Sequence, residues 1–209
     1  AYALYKQNAL DARNQAAIRT RLRQIAGGFF PAKYDLSEGA EQELANIESV
    51  PIGTPPKVTH LLNLLEDHAE SLPAIVACAF RAEAKYLYAE LSKNYKCALI
   101  MGGISKDERS RIEDEFKQGQ IEVLVAVAST IAKGFNFQIS HTMYMYSSSY
   151  NTEDRMQLED RIHRYGQKEV CTYVDILTED SIDQRIFDVL KGDVEFQNYM
   201  RSTDPTDFL

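Results

Sequence analysis

The chain has 209 residues, 44% of them hydrophobic and 26% charged, which suffices for one ordinary domain with a buried core plus an appended segment and excludes disorder and collagen. Lys and Arg number 23 against 31 Asp and Glu, and the net charge of -8 excludes a polycation that coats nucleic acid by bulk charge, so any nucleic-acid site must be local. Three cysteines without CxxC spacing exclude a disulfide framework and a zinc cluster and fit a reducing compartment, the cytoplasm or wherever DNA is kept, and no apolar run is long enough to span a bilayer.

In chain order, the sequence opens without Met in what reads as mid-helix, as an excerpt from a longer polypeptide would. Ile18, Leu22 and Ile25 recur at helical spacing before Gly27-Gly28, which predicts an amphipathic helix and its stop. Up to Tyr34 the only acid, Asp11, faces Lys6, Arg13, Arg19, Arg21, Arg23 and Lys33. This local basicity is read equally as a nucleic-acid face and as a solvated helix face. Asp35 to Ser49 is acidic, and Val50 to Pro56 is a Pro- and Gly-containing connector. The expected domains are a helical extension and linker over 1–54, the main lobe over 55–191, and a tail over 192–209.

After the connector, short apolar runs alternate with helical stretches. Strands are predicted at Ala74–Phe80, Ala98–Met101, Ile121–Ala126, Thr142–Tyr146 and Val170–Leu177. Helices are predicted from near Lys57, then at Ala82–Lys93, Lys106–Lys117, Glu153–His163 and Ser181–Lys191. That rhythm predicts an α/β fold, a parallel sheet covered by helices on both faces. Ligands gather beyond the carboxyl ends of such strands, which directs attention to the loops after Phe80, Met101, Ala126 and Tyr146.

The sharpest constellation runs from Gln157 to Gln167. On a helix, Gln157, Arg161 and Arg164 fall at i, i+4 and i+7, one amide and two guanidiniums on a single stripe facing something anionic. Arginine suits phosphate because its planar fork donates two parallel hydrogen bonds and stays charged. A surface Asp160–Arg164 ion pair beside a solvated Gln157 explains the same spacing equally well.

The pattern Gln157-x-x-Asp160-Arg161-x-His163-Arg164-x-Gly166-Gln167 resembles the sixth motif of Snf2-type superfamily 2 helicases. The resemblance implies a RecA-like second lobe in which Arg164 is an arginine finger on ATP, Arg161 its companion, and Gln157 an ATP-binding residue. Ala128 to Phe137 resembles motif V, with a loop more compact than most Snf2 proteins carry. That likeness implies DNA-phosphate contacts from Ser129 and Thr130 and places Gly134 and Asn136 on the nucleotide side. Taken alone, Ser129-Thr130 reads as a helix N-cap. Met101 to Arg109 resembles the family block between motifs IV and V and implies Ser105 as a DNA contact, although Ser105 with Glu108 also spells a capping box. Ala74 to Leu91 resembles motif IV, with Arg81 as a DNA candidate and Phe80 as core. Tyr144, Tyr146 and Tyr150 read as packing residues, and His60, His68 and His141 show no metal-ligand spacing.

The chain carries no GxxxxGK[ST] loop and no strand-borne Asp-Glu pair to hold Mg²⁺. It should therefore be inactive alone. The resemblance implies an upstream RecA-like lobe in the same polypeptide that holds ATP with Mg²⁺, duplex DNA as partner, and no membrane. Two alternatives stay open: a strand-separating or RNA-acting superfamily 2 lobe, and a non-catalytic module that binds DNA or protein.

Overall fold

The computed structural model describes residues 15–31, 49–132 and 134–192. The chain divides into two units, Pro56–Leu177 and a second formed by Ala1–Pro55 with Thr178–Leu209.

In the larger unit, β3 (Ala74–Cys78), β4 (Cys97–Ile100), β5 (Val123–Val127), β6 (Thr142–Met145) and β7 (Thr172–Asp175) form an all-parallel sheet in the order β4-β5-β3-β6-β7. Val76 pairs with Val125 on one side and Tyr144 on the other. The inner strands read Ala-Ile-Val-Ala-Cys and Val-Leu-Val-Ala-Val and are buried throughout, as strands covered on both faces must be. Alternation assigns Ile75, Ala77, Leu124, Ala126, Met143 and Met145 to one face. There they meet Ile112 and Phe116 of α4 (Lys106–Lys117) and Leu158 of α6 (Thr152–Glu159). The opposite face carries Tyr144, whose hydroxyl lies 3.4 Å from Ser71 Oγ in the 3₁₀ turn Ala69–Ser71, and Tyr146, whose ring takes the Lys57 ammonium at 5.0 Å. Lys57 opens α2 (Pro56–Asp67), which buries Val58, Leu61 and Leu65, and α3 (Arg81–Leu91) buries Ala84, Leu87 and Leu91. Tyr144, Tyr146 and Phe80 are thus core, as their sequence context suggests.

The chain leaves β3 towards β4 and leaves β6 towards β7, so the loops after these adjacent strands diverge. A buried polar knot holds them together: Ala79 N donates to Ser147 Oγ at 2.7 Å, Ser147 Oγ donates to Glu83, and Glu83 accepts Phe80 N at 3.2 Å.

The smaller unit contains α1 (Gln15–Ala26), which buries Ile18, Leu22 and Ala26. Gly28 stops it at φ +85°, where a Cβ would stand 2.4 Å from Pro55 Cβ, so only glycine fits. The Thr178 hydroxyl donates to Ala26 O at 2.8 Å and satisfies a terminal carbonyl of the helix. β1 (Phe29–Pro31) pairs antiparallel with β2 (Ser49–Pro51), and α7 (Ile182–Leu190) starts at the Ser181 cap.

Three sequence expectations change. The connector is not wholly irregular, because Val50 and Pro51 pair with β1. The closing helix α7 counts with α1 rather than with the sheet. The Glu153–His163 helix ends at Glu159, where the amides tighten to i→i−3 bonds, Arg161 N to Leu158 O at 3.0 Å and Ile162 N to Glu159 O at 3.2 Å. The expected acidic stretch and tail lie almost wholly outside the described residues.

Candidate functional site

The sequence candidates fall into two groups. Arg81, Ser105, Ser129 and Thr130 follow the carboxyl ends of β3, β4 and β5. Arg81 is exposed and donates Nη1 to Gly102 O at 2.7 Å, which ties the start of α3 to the loop that presents Ser105. Ser105 caps α4, its hydroxyl accepting Glu108 N at 3.1 Å. The expected capping box is only half formed, because the Glu108 carboxylate turns to Arg111 at 2.7 Å. Ser129 and Thr130 are not caps. They sit inside α5 (Ala128–Ile131), whose N-cap position is Val127, and Ser129 is exposed.

The second group lies on the connections that lead into β6 and β7. Gln157, Arg161 and Arg164 do not share a helical stripe, since α6 stops before either arginine. The Gln157 side chain donates back to Glu153 at 3.1 Å, and only its carbonyl faces the site, accepting Arg161 Nε at 2.8 Å. This bond replaces the backbone bond lost where the helix tightens. Arg161 Nη1 then reaches Phe135 O at 3.3 Å, and Arg164 Nη1 reaches the same oxygen at 3.5 Å. Two guanidiniums therefore converge on one carbonyl. Among the described residues neither is in an ion pair, and the proposed Asp160–Arg164 bridge is not formed. Arg155, six residues before Arg161, shows the contrast: it pairs with Asp175 at 2.5 and 2.9 Å and with Glu159, neutralised by two carboxylates.

The residue that offers this oxygen is anchored in the core through its ring. Phe135 is buried, its ring stacked on Phe137 at 5.1 Å, and Phe137 meets Phe116 edge-on at 5.5 Å. Phe137 N donates to Arg161 O at 3.1 Å, which ties the two connections directly. Asn136 N donates to Glu113 at 3.4 Å, and the Asn136 side chain bonds Gln138, so Asn136 braces the connection. Gly134 adopts φ +77° and offers its carbonyl to Arg109 Nη2 at 2.9 Å. Lys133 lies outside the described residues.

The sequence did not single out Arg109, whose guanidinium also covers the Phe135 ring at 3.7 Å, nor Arg155, and it gave Gln167 a motif position but no partners. Arg109 and Gly134 are 25 positions apart, and no local periodicity marks such a pair. The thiol of Cys78, beside the Glu83 knot, is pushed well above its ordinary range by burial and then by the Glu83 charge, which favours the protonated form.

Residues 56–166 match the helicase conserved C-terminal domain. The chain is 30% identical over 97 residues to the SWI/SNF chromatin-remodeling complex subunit snf22 of Schizosaccharomyces pombe, covering 46% of this chain and 6% of that protein. It is 27% identical over 109 residues to the ATP-dependent helicase FUN30 of Saccharomyces cerevisiae, covering 51% of this chain and 10% of that protein. The chain thus spans a tenth or less of these relatives. A crystal structure of the C-terminal part of the Fun30 ATPase domain superposes with a TM-score of 0.62 at 23% identity, over 68% of this chain and 46% of that one. Sheet order and this likeness define a RecA-like lobe. The chain belongs to the helicase conserved C-terminal domain family.

Proposed function

We propose that this chain is the second lobe of a DNA-stimulated ATPase that moves along duplex DNA, with Arg164 as the arginine finger and Arg161 beside it on the phosphates of ATP. One observation carries the reading: two guanidiniums converge on Phe135 O with no carboxylate partner among the described residues. Like charges held this close repel, and an anion relieves that repulsion while using the N–H groups that Phe135 O leaves over. Arg161 spends Nε on Gln157 O and so is oriented from behind. Arg164, exposed and held by one long bond, has more donors to give.

Gly134 and Asn136 shape the nucleotide side through their backbone, and Gln157 orients Arg161. On the opposite group, Ser105, Ser129, Thr130 and Arg81 offer hydroxyls and a guanidinium to DNA phosphates. An upstream lobe supplies the phosphate loop, and the Mg²⁺ held there would neutralise charge on the phosphate oxygens. Residues of this chain then stabilise the charge that develops as the terminal phosphoryl group departs.

Phosphate release by the longer polypeptide, with and without duplex DNA, tests the reading. Duplex should stimulate the wild type, and Arg164→Ala should lose about three powers of ten or more in kcat. This chain alone should release nothing. Normal hydrolysis by Arg164→Ala defeats the assignment, and stimulation by RNA in place of duplex DNA defeats the choice of substrate.

A further inference from the structure

Arg109 stands where the two groups of candidate residues meet. On α4 its amide donates to Ser105 O at 3.0 Å, one turn from the serine proposed to meet a DNA phosphate. Its side chain leaves the helix for the connection after α5, where Nη2 donates to Gly134 O at 2.9 Å and the guanidinium lies 3.7 Å from the centroid of the Phe135 ring. The carbonyl of that same Phe135 collects Arg161 and Arg164.

The chemistry of Gly134 makes this grip consequential. Glycine crosses between backbone regions at little cost, so its φ of +77° is not chosen by its own sterics. The bond from Arg109 to its carbonyl, and the cover Arg109 gives the next ring, select one conformation. A Cβ on Gly134 would stand 3.0 Å from Arg109 Nη2 and press on the guanidinium that holds the peptide. Rotation at Gly134 would swing the Phe135 carbonyl and with it the anchor of both arginines.

We infer that Arg109 is a positioning residue that transmits engagement of α4 on nucleic acid, through Gly134 and Phe135, to the Arg161–Arg164 pair. The inference rests on the reading of that pair as phosphate-binding. A rigid α4 moved by a phosphate at Ser105 carries Arg109 with it, and the peptide it grips follows. Without nucleic acid the bond only holds Gly134 at rest, so hydrolysis in its absence depends on Arg109 far less than the stimulated rate does.

ATP hydrolysis by the longer polypeptide across a duplex DNA titration tests this, with wild type, Arg109→Gln, Arg109→Lys, Phe135→Leu and, as control on the underlying reading, Arg164→Ala. Arg109→Gln should lower the DNA-free rate by no more than about threefold, bind duplex within about twofold of wild type, and lose at least about tenfold of the DNA-stimulated kcat with the KM for ATP nearly unmoved. Arg109→Lys reaches the Gly134 carbonyl or the Phe135 face without a planar fork and should fall between. Phe135→Leu keeps apolar bulk, removes the π face, and should also lower stimulation.

Full stimulation of Arg109→Gln overturns the inference. So does an equal fall of the DNA-free and stimulated rates, the mark of a mere prop, or a loss of DNA affinity large enough to explain the lost rate. If Arg109→Gln does not fold, Arg109→Lys and Phe135→Leu decide by the same readouts. A wild type that duplex does not stimulate, or an Arg164→Ala that hydrolyses ATP normally, removes the underlying reading and the inference with it. A dead Arg164→Ala beside a fully stimulated Arg109→Gln sinks the inference alone.

Discussion

The side-chain amide of Gln167 donates to the carbonyl of Ser140 at 3.0 Å. The same nitrogen lies 3.0 Å from Gln138 O and 3.3 Å from Ile162 O, while its oxygen accepts the Lys168 and Glu169 amides at 2.9 and 3.1 Å. One side chain thus staples the entry to β6 onto the loop that carries Arg161 and Arg164. Gln138 returns the bond by donating its own amide to Tyr165 O.

Gln167→Leu should cost about 1–3 kcal/mol, because it strands half-buried carbonyls without a donor. Gln167→Glu should cost at least as much, since a carboxylate would face those same carbonyls. Urea unfolding midpoints check both, and a loss below about 0.5 kcal/mol for Gln167→Leu would show that solvent replaces the staple.

Gly134→Ala should destabilise by about 1–2 kcal/mol for the left-handed backbone alone. The new methyl also presses on Arg109 Nη2, so Gly134→Ala combined with Arg109→Gln should cost less than the sum of the two changes. The double-mutant cycle in urea measures that relief, and strict additivity contradicts the contact.

Arg155→Met should cost about 2–4 kcal/mol, because Asp175, 13% exposed, keeps its charge and loses both hydrogen bonds. Arg155→Met with Asp175→Asn should recover part of the loss. Thermal unfolding of both variants beside the wild type is the test, and a double variant no more stable than Arg155→Met would point to packing instead.

The Cys97 thiol is pushed up to about 11, mainly by burial and further by Glu122, against an opposing hydrogen bond with Ser92. The folded chain therefore holds this proton after the unfolded chain has released its own. Stability from this group is whole below the ordinary thiol range and falls as pH rises through about 11, at no more than about 1.4 kcal/mol per pH unit. Cys97→Ser should flatten the wild-type slope above pH ~9 in urea titrations, and an unchanged slope would assign the loss to other groups.

Much of the scaffold was legible because period and burial speak locally. Ala-Ile-Val-Ala-Cys, short, apolar throughout and bounded by Pro73, reads as a doubly covered strand, and Ser105 and Ser181 begin helices where their side chains can cap them. The sixth motif was legible as a pattern but not as a shape. Periodicity extended α6 through Arg161, while the backbone tightens at Asp160 because Arg161 gives its carbonyl to Phe137 N and its Nε to Gln157 O. Those partners are remote in sequence or depend on the break itself. Arg109 and Arg155 escaped for the same reason, and Gln167 was named as a motif position without its partners: each acts on groups that only the closed sheet brings near.

The staple at Gln167 has a thermodynamic consequence for anything the arginines meet. A loop left to wander would have to surrender its conformational entropy at each encounter, and affinity would fall by that amount. Here the ordering was completed when the lobe folded. Bonds to Phe137, Gln138 and Ser140 tie the arginine loop to the connection that enters β6. An anion held by the pair would cost little loop ordering, and any change in the pair's aim has to come through the connection to which the loop is tied, at Gly134 and Phe135.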